Sequence, residues 1–288
     1  MTNNLFVVVS KKLYYYSVEE GCICPTKSTF CWRLIRKLID LLKLPYPQII
    51  LNQEIKKCSG KLVISDSAFG GNVRLLRALR KVTNRTDQVL YYMNIVDNVN
   101  IEFMKHFEEC ATFDEKDSKK YAMRHTIFPY TDYYSNNFND NHELKYDLIF
   151  LGRAKDRLAE LLKIKYKADE ANLVTRFMVL DTDNPDIGIN KYIDYQDYMK
   201  MVLETRCLVE ILQNGQEGSS LRVKEALFLH KKLITNNRAI VDEWFYDKNN
   251  MYVLGVDGRS MKSFVRGEYV ENNINLDNLD FSYWIDSF

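Results

Sequence analysis

The sequence predicts an α/β protein built from two parallel-sheet units in succession. Three observations carry this. Short β-rich apolar segments alternate with amphipathic ones through the first half, a polar interval follows at residues 130–147, and the alternation then restarts. At 288 residues, 46% hydrophobic and 27% charged, the chain has the composition of a globular protein with sizeable cores. A net charge of +1 gives no polyanion signal, so no nucleic-acid partner is expected.

Taken in order, "LFVVV" at 5–9 reads as a first buried strand, too short for a signal-peptide core or a membrane span. Further strands are expected at 48–51, 61–65 and 88–92, with helices over 30–43, 72–82 and 101–107. Gly70 and Gly71, in "SDSAFGGN", let the chain turn sharply between a strand and the second of these helices. Asp114 is placed to cap the helix opened by "FDEKDSKKYAM". The interval "YTDYYSNNFNDNHELKYD" lacks apolar periodicity and reads as a linker.

In the second half, "YDLIFLG", "TRFMVLD", "RCLVEI", "KLITNN" and "MYVLGV" read as strands. Helices are expected at 153–162, over "YQDYMKMVLE", after "GQEGSS" and at the tail "LDNLDFSYWIDSF", with Phe281, Trp284 and Ile285 on one face. The expected domains are 1–145, 146–275 and a terminal helix in 276–288 packing back on the first domain. Tandem α/β units bind ligands at the carboxyl ends of their strands, in a crevice between them.

The stretch "VEILQNGQEGSSLRVKEALFLHKKLITNN" runs from a strand through a glycine loop into a helix. The first N–H groups of such a helix have no internal partner and favour an anion. Gly218 permits close approach, Ser219 and Ser220 add hydroxyls, and Arg222 supplies a charge-assisted donor. Glu217 and Glu225 suit hydroxyl groups rather than phosphate, so a nucleotide sugar fits the set. An ordinary capped helix, with Glu217 near its dipole and Glu225 in solvent, fits it equally.

Glu217 and Glu225 match the E-x7-E motif of retaining glycosyltransferases of GT-B architecture. The run 195–237 resembles bacterial capsule, lipopolysaccharide and exopolysaccharide glycosyltransferases, with a GQxG loop, an "LRxxEA" helix and a "KLITNN" strand. "YDLIFLGRAKDRLAEL" and "FDEKDSKKY" extend the resemblance over roughly 90–265. It implies a GT-B-like fold, two Rossmann-like domains facing each other across a cleft, and transfer of a sugar from a nucleotide donor, a UDP-sugar by frequency, to a growing surface glycan. The acceptor is expected to be lipid-linked, and the protein cytoplasmic with peripheral contact to the inner membrane. Glu225 would hold the ribose, Glu217 would face the donor sugar, and Arg153, Lys155 and Arg157 would face the diphosphate. Neither metal nor resident cofactor is implied. The glycine loop often found after the first strand of such enzymes is missing from "VVVSKKLYYYS". A catalytically silent GT-B-like subunit and a GT-B-type epimerase are the alternatives.

Other candidates are weaker. Asp181 and Asp183 form a DxD, which GT-A enzymes use for a metal, but beside Asn184-Pro185 it reads as a turn. Cys22, Cys24 and Cys31 lack a fourth ligand, and His106, His125, His142 and His230 fall in no ligand spacing. Asp66 at a strand end and His125 near the interval are acceptor-side candidates. "CWRLIRKLIDLLK" is a basic amphipathic helix, fit either to lean on anionic lipid or to pack in the core with a solvated basic face.

Overall fold

A computed structural model describes residues 4–82, 87–137 and 142–288. The chain divides into two compact units, Met1–Ile127 with Phe281–Phe288, and Phe128–Asp280. Each is an α/β layer structure with one parallel sheet flanked by helices.

In the first unit, β1 (Leu5–Val7), β2 (Cys22–Ile23), β3 (Leu62–Ser65), β4 (Gln88–Tyr92), β5 (Glu109–Thr112) and β6 (Arg124–His125) form a six-stranded sheet in the order β2-β1-β3-β4-β5-β6. Every pairing is parallel. Successive side chains on a strand point to opposite faces, so a sheet covered on both sides needs continuous apolar strands. β3, "LVIS", is buried at every position. On one face Val7, Leu62, Ile64, Leu90 and Tyr92 pack with the helices α1 (Phe30–Leu41), α2 (Gln53–Lys57) and α3 (Val73–Leu79). On the other, Phe6 and Tyr91 meet Trp284 of α10 (Phe281–Asp286) edge-on, with ring centroids 5.0 and 4.9 Å apart. Phe281, Trp284 and Ile285 are the buried residues of that short helix.

Caps account for several boundaries. Asn72 accepts from the N–H groups of Arg74 and Leu75 at the start of α3, and Asp114 from Asp117 N–H at the start of α4 (Glu115–Tyr121). The strand expected at 48–51 is instead a 3-10 turn, Gln48–Ile50, closed by Ile50 N–H on Pro47 C=O. Pro47 sets that turn, and a short apolar run alone cannot separate the two states.

The first part of the expected linker, 130–137, is also structured. The second unit begins at Phe128 rather than near 145, with Tyr130 and Tyr134 fully buried and α5 at Tyr133–Asn137. Residues 138–141 of the expected linker lie outside the described residues. The second sheet comprises β7 (Tyr146–Arg153), β8 (Thr175–Leu180), β9 (Thr205–Glu210), β10 (Lys232–Thr235) and β11 (Met251–Val253), all parallel, in the order β8-β7-β9-β10-β11. Leu148, Phe150, Cys207, Val209 and Ile234 pack against α6 (Leu158–Glu170) and α9 (Met261–Arg266). α7 (Tyr195–Leu203) and α8 (Leu221–Phe228) cover the opposite face. The chain after Arg153 was expected to be helical; α6 begins only at Leu158, which leaves 154–157 as a loop at the sheet edge.

One helix departs from the usual arrangement. α1 buries only Ile39, and its leucines face solvent. The core-helix reading of this segment does not hold.

Candidate functional site

In a parallel sheet of order 2-1-3-4-5, successive connections leave the first and third strands toward opposite faces, and the carboxyl edge opens between them. In the second unit these strands are β7 and β9. The β7 loop leads to α6 on one face, and the β9 loop leads to α8 on the other.

Three hydrogen bonds tie the two loops together. Lys155 Nζ donates to Gln213 Oε1 at 2.9 Å, Asn214 N–H to Asp156 Oδ2 at 2.8 Å, and Arg157 Nη1 to Ile211 C=O at 2.6 Å. Arg157 also closes its own loop by donating to Arg153 C=O. Arg153, exposed, pairs at 2.6 Å with Asp181 at the end of β8. Lys155 and Asp181 both have positive φ, 46° and 61°, which non-glycine residues adopt at a cost of about 1 kcal/mol or more. Both lie at this same sheet edge. Withdrawal of the Lys155 ammonium from water, then the nearby Arg157 and Arg153 charges, lowers its pKa. A neighbouring anion would relieve that repulsion.

Gly152, the last residue but one of β7, is a glycine for a packing reason. A Cβ there would lie 3.1 Å from Arg222 Nη2 and 3.3 Å from Arg157 Nη2. The two guanidinium groups flank the glycine and both lie over the Phe150 ring, at 4.5 and 5.3 Å from its centroid. Arg222, expected to fold back onto a diphosphate, instead donates to Leu151 C=O, while its Nε is buried without a partner.

The amino end of α8 is organised from within. Ser220 is its N-cap, accepting from Arg222 N–H at 3.3 Å. Ser220 N–H donates at 2.7 Å to the buried Glu210, whose other oxygen accepts from Thr235 Oγ1 at 2.6 Å. The anion expected at this helix end is thus partly supplied by Glu210. Ser219 is buried and accepts from Asn237 Nδ2 at 3.5 Å. Gly218 C=O accepts from Gln216 Nε2, and Gly215, at φ 84°, turns the loop. Glu217 stands exposed on this loop.

Glu225 lies elsewhere. It is 2% exposed, and its oxygens accept from Tyr195 Oη at 2.7 Å and Tyr198 Oη at 3.0 Å. Burial raises its pKa, partly offset by Arg222 and by those hydroxyls. The two glutamates of the E-x7-E pair therefore occupy opposite environments, one in solvent and one in a tyrosine cluster. A solvent position for Glu225 is overturned, because α8 is buried at every position from Val223 to Phe228. Lys224, between these glutamates, is also buried; burial depresses its pKa to about 8, against the pull of Glu210 and Glu243.

The remaining candidates are in the first unit. Asp66, at the end of β3, is buried and accepts from Met93 N–H at 3.1 Å and Asn94 Nδ2 at 3.0 Å. Its pKa is raised by burial, against these donors. His125 is exposed on β6, with Nε2 3.2 Å from Phe113 C=O. β4 and β5 separate their strands, roughly 14 Å at ordinary strand spacing, so the fold does not bring the two together. The DxD forms a turn: Asn184 N–H bonds Thr182 Oγ1, and Gly188 N–H bonds Asn184 C=O. Among the described residues no group of three or more His, Cys, Asp or Glu could hold a metal ion.

Sequence reasoning missed Gln213, Asn214, Asp156 and Glu210. The "QNGQ" turn marked the loop, but which strands flanked it depended on sheet order. No protein-family model matches the chain, and no curated protein is similar to it in sequence. Among solved structures, it is similar to AviGT4, a glycosyltransferase involved in avilamycin A biosynthesis, with a TM-score of 0.45 and 8% identity over 83% of this chain and 80% of that one.

Proposed function

We propose that the protein is a glycosyltransferase that takes its sugar from a nucleotide donor, with the diphosphate held at the β7–β9 edge of the second unit. The observation that carries this reading is the pair of cross-bonded loops at the switch point, with Arg153, Lys155 and Arg157 on one and Glu217 on the other. Polar loops at the carboxyl edge of a doubly wound sheet are where such folds bind nucleotides. Cations there would stabilise the nucleoside diphosphate as it leaves, when its charge is greatest.

Glu217 faces the donor sugar in this reading, and Ser219, Ser220 and Arg222 hold the loop and helix that present it. Glu225 serves by anchoring α8 through Tyr195 and Tyr198 rather than by touching ribose. The acceptor is a growing bacterial surface glycan carried on lipid, by the sequence resemblance, and the transfer is metal-independent and retaining. Incubation with UDP-, GDP-, CDP- and dTDP-sugars, with release of free nucleoside diphosphate as the readout, tests this. Hydrolysis or transfer with one of them, lost in Glu217→Ala, is expected. No turnover of any donor, with or without glycan acceptor, would sink the reading in favour of a silent subunit.

A further inference from the structure

α1 turns its apolar side away from the protein. Phe30, Leu34, Leu38 and Leu41 recur at the spacing of one helical face and are 70%, 50%, 54% and 78% exposed. Leu42 and Leu44 continue the exposed apolar surface, while Ile39 alone of this helix is buried. Single exposed leucines are ordinary; a contiguous stripe on a helix marks a surface that meets something apolar.

The charge around the stripe narrows the partner. From Pro25 to Pro47 the sequence carries Lys27, Arg33, Arg36, Lys37 and Lys43 against one acid, Asp40. Asp40 is already engaged by Arg74 at 3.0 Å, Tyr46 Oη at 2.8 Å and Asn72 Nδ2 at 2.8 Å. Arg36 is turned inward to Thr26 Oγ1. Arg33, Lys37 and Lys43 remain exposed. A preformed helix with an outward apolar face and a basic flank is the arrangement that lies in the headgroup region of an anionic bilayer. A second copy stacked on the same face would bring its own basic flank into the interface, and the one acid of this helix, Asp40, is already engaged by Arg74, Tyr46 and Asn72.

We propose that the protein docks on an anionic lipid surface through α1, with Phe30, Leu34, Leu38 and Leu41 entering the headgroup–acyl boundary and Arg33, Lys37 and Lys43 meeting lipid phosphates. This does not rest on the transferase reading, and no helix among the described residues is long and apolar enough to cross a membrane. The test is flotation of the full chain with vesicles of phosphatidylcholine alone or mixed with phosphatidylglycerol, with no donor or acceptor present. Binding is expected on the mixed vesicles, weakening as salt rises. Arg33→Gln and Lys37→Gln should each lower partitioning about fivefold. Leu38→Ala with Leu41→Ala should lower it on the order of tenfold or more without moving Tm, since both side chains are exposed. Failure to float with anionic vesicles overturns the proposal. So does full binding by the double-leucine variant. A dimer in sedimentation that the same variant converts to monomer would assign the stripe to a second copy instead.

Discussion

Lys155 donates to Gln213 across the junction of the β7 and β9 loops, and the lysine adopts left-handed backbone to do so. Together with Asp156 and Asn214, the contact fixes two loops that leave the sheet toward opposite faces. If a diphosphate lies there, Lys155→Ala removes a charge-assisted donor worth about 1.5–3 kcal/mol. The expected outcome is a rise of at least about tenfold in Kd for nucleoside diphosphate by calorimetric titration, with the melting temperature little changed. An unaltered Kd would move the phosphates away from this edge.

Glu217 and Glu225 should separate by phenotype. Glu225→Ala removes the acceptor shared by the buried Tyr195 and Tyr198 hydroxyls, leaving Tyr195 its longer contact to Tyr130 Oη at 3.3 Å, and is expected to cost about 2–3 kcal/mol in denaturant unfolding. Glu225→Gln keeps an acceptor and most of that stability. Glu217→Ala, at an exposed position, should alter stability by about 0.5 kcal/mol or less while abolishing turnover. A Glu225→Ala protein of full stability with only a raised KM would return this residue to direct donor contact.

Lys224 gives a pH signature. Its pKa falls from 10.5 unfolded to about 8 folded, so between these values the unfolded chain binds more protons. Stability attributable to Lys224 is then lowest below pH 8 and rises as pH increases toward 10.5, by up to about 3 kcal/mol. Comparing urea midpoints of wild type and Lys224→Met across that window isolates the contribution. The variant should lack this rise; parallel curves would show that the ammonium is solvated.

Gly152→Ala places a methyl 3.1 Å from Arg222 Nη2 and 3.3 Å from Arg157 Nη2. Displacing either guanidinium breaks its bond to Leu151 or Ile211. A loss of about 1–3 kcal/mol and weaker nucleotide binding are expected together. Equal affinity and stability would mean that the arginines have room to move.

The strands of the second sheet were legible because parallel sheets covered on both faces require continuous apolar runs, and "LIFLG", "CLVE" and "KLIT" are such runs, whereas the short β2, β5 and β6 of the first sheet carry no such run and were not read. Asp114 as a cap and the burial of Phe281, Trp284 and Ile285 follow from local pattern too. What local pattern lacked was strand order. Without it Glu210 was only the polar end of a strand, whereas the fold places it beneath the amino end of α8. The surroundings of Glu225 were hidden for the same reason: its spacing from Glu217 says nothing of the tyrosines that α7 brings over it. The polar composition of 130–147 concealed Tyr130 and Tyr134, whose burial is decided by tertiary contact. In α1 the helix itself was plain, but which side met the core depended on the neighbouring chain.

The proposed role of the β7–β9 edge of the second unit is to bind a nucleotide sugar. Thermal unfolding of the wild type and of Lys155→Ala with Arg153→Ala, each against UDP-, GDP-, CDP- and dTDP-sugars, tests it most directly. One donor should stabilise the wild type by about 2.7 kcal/mol at a hundredfold excess over Kd, and the double variant far less. If no donor shifts the transition, or if one shifts both proteins equally, the β7–β9 edge does not hold the donor.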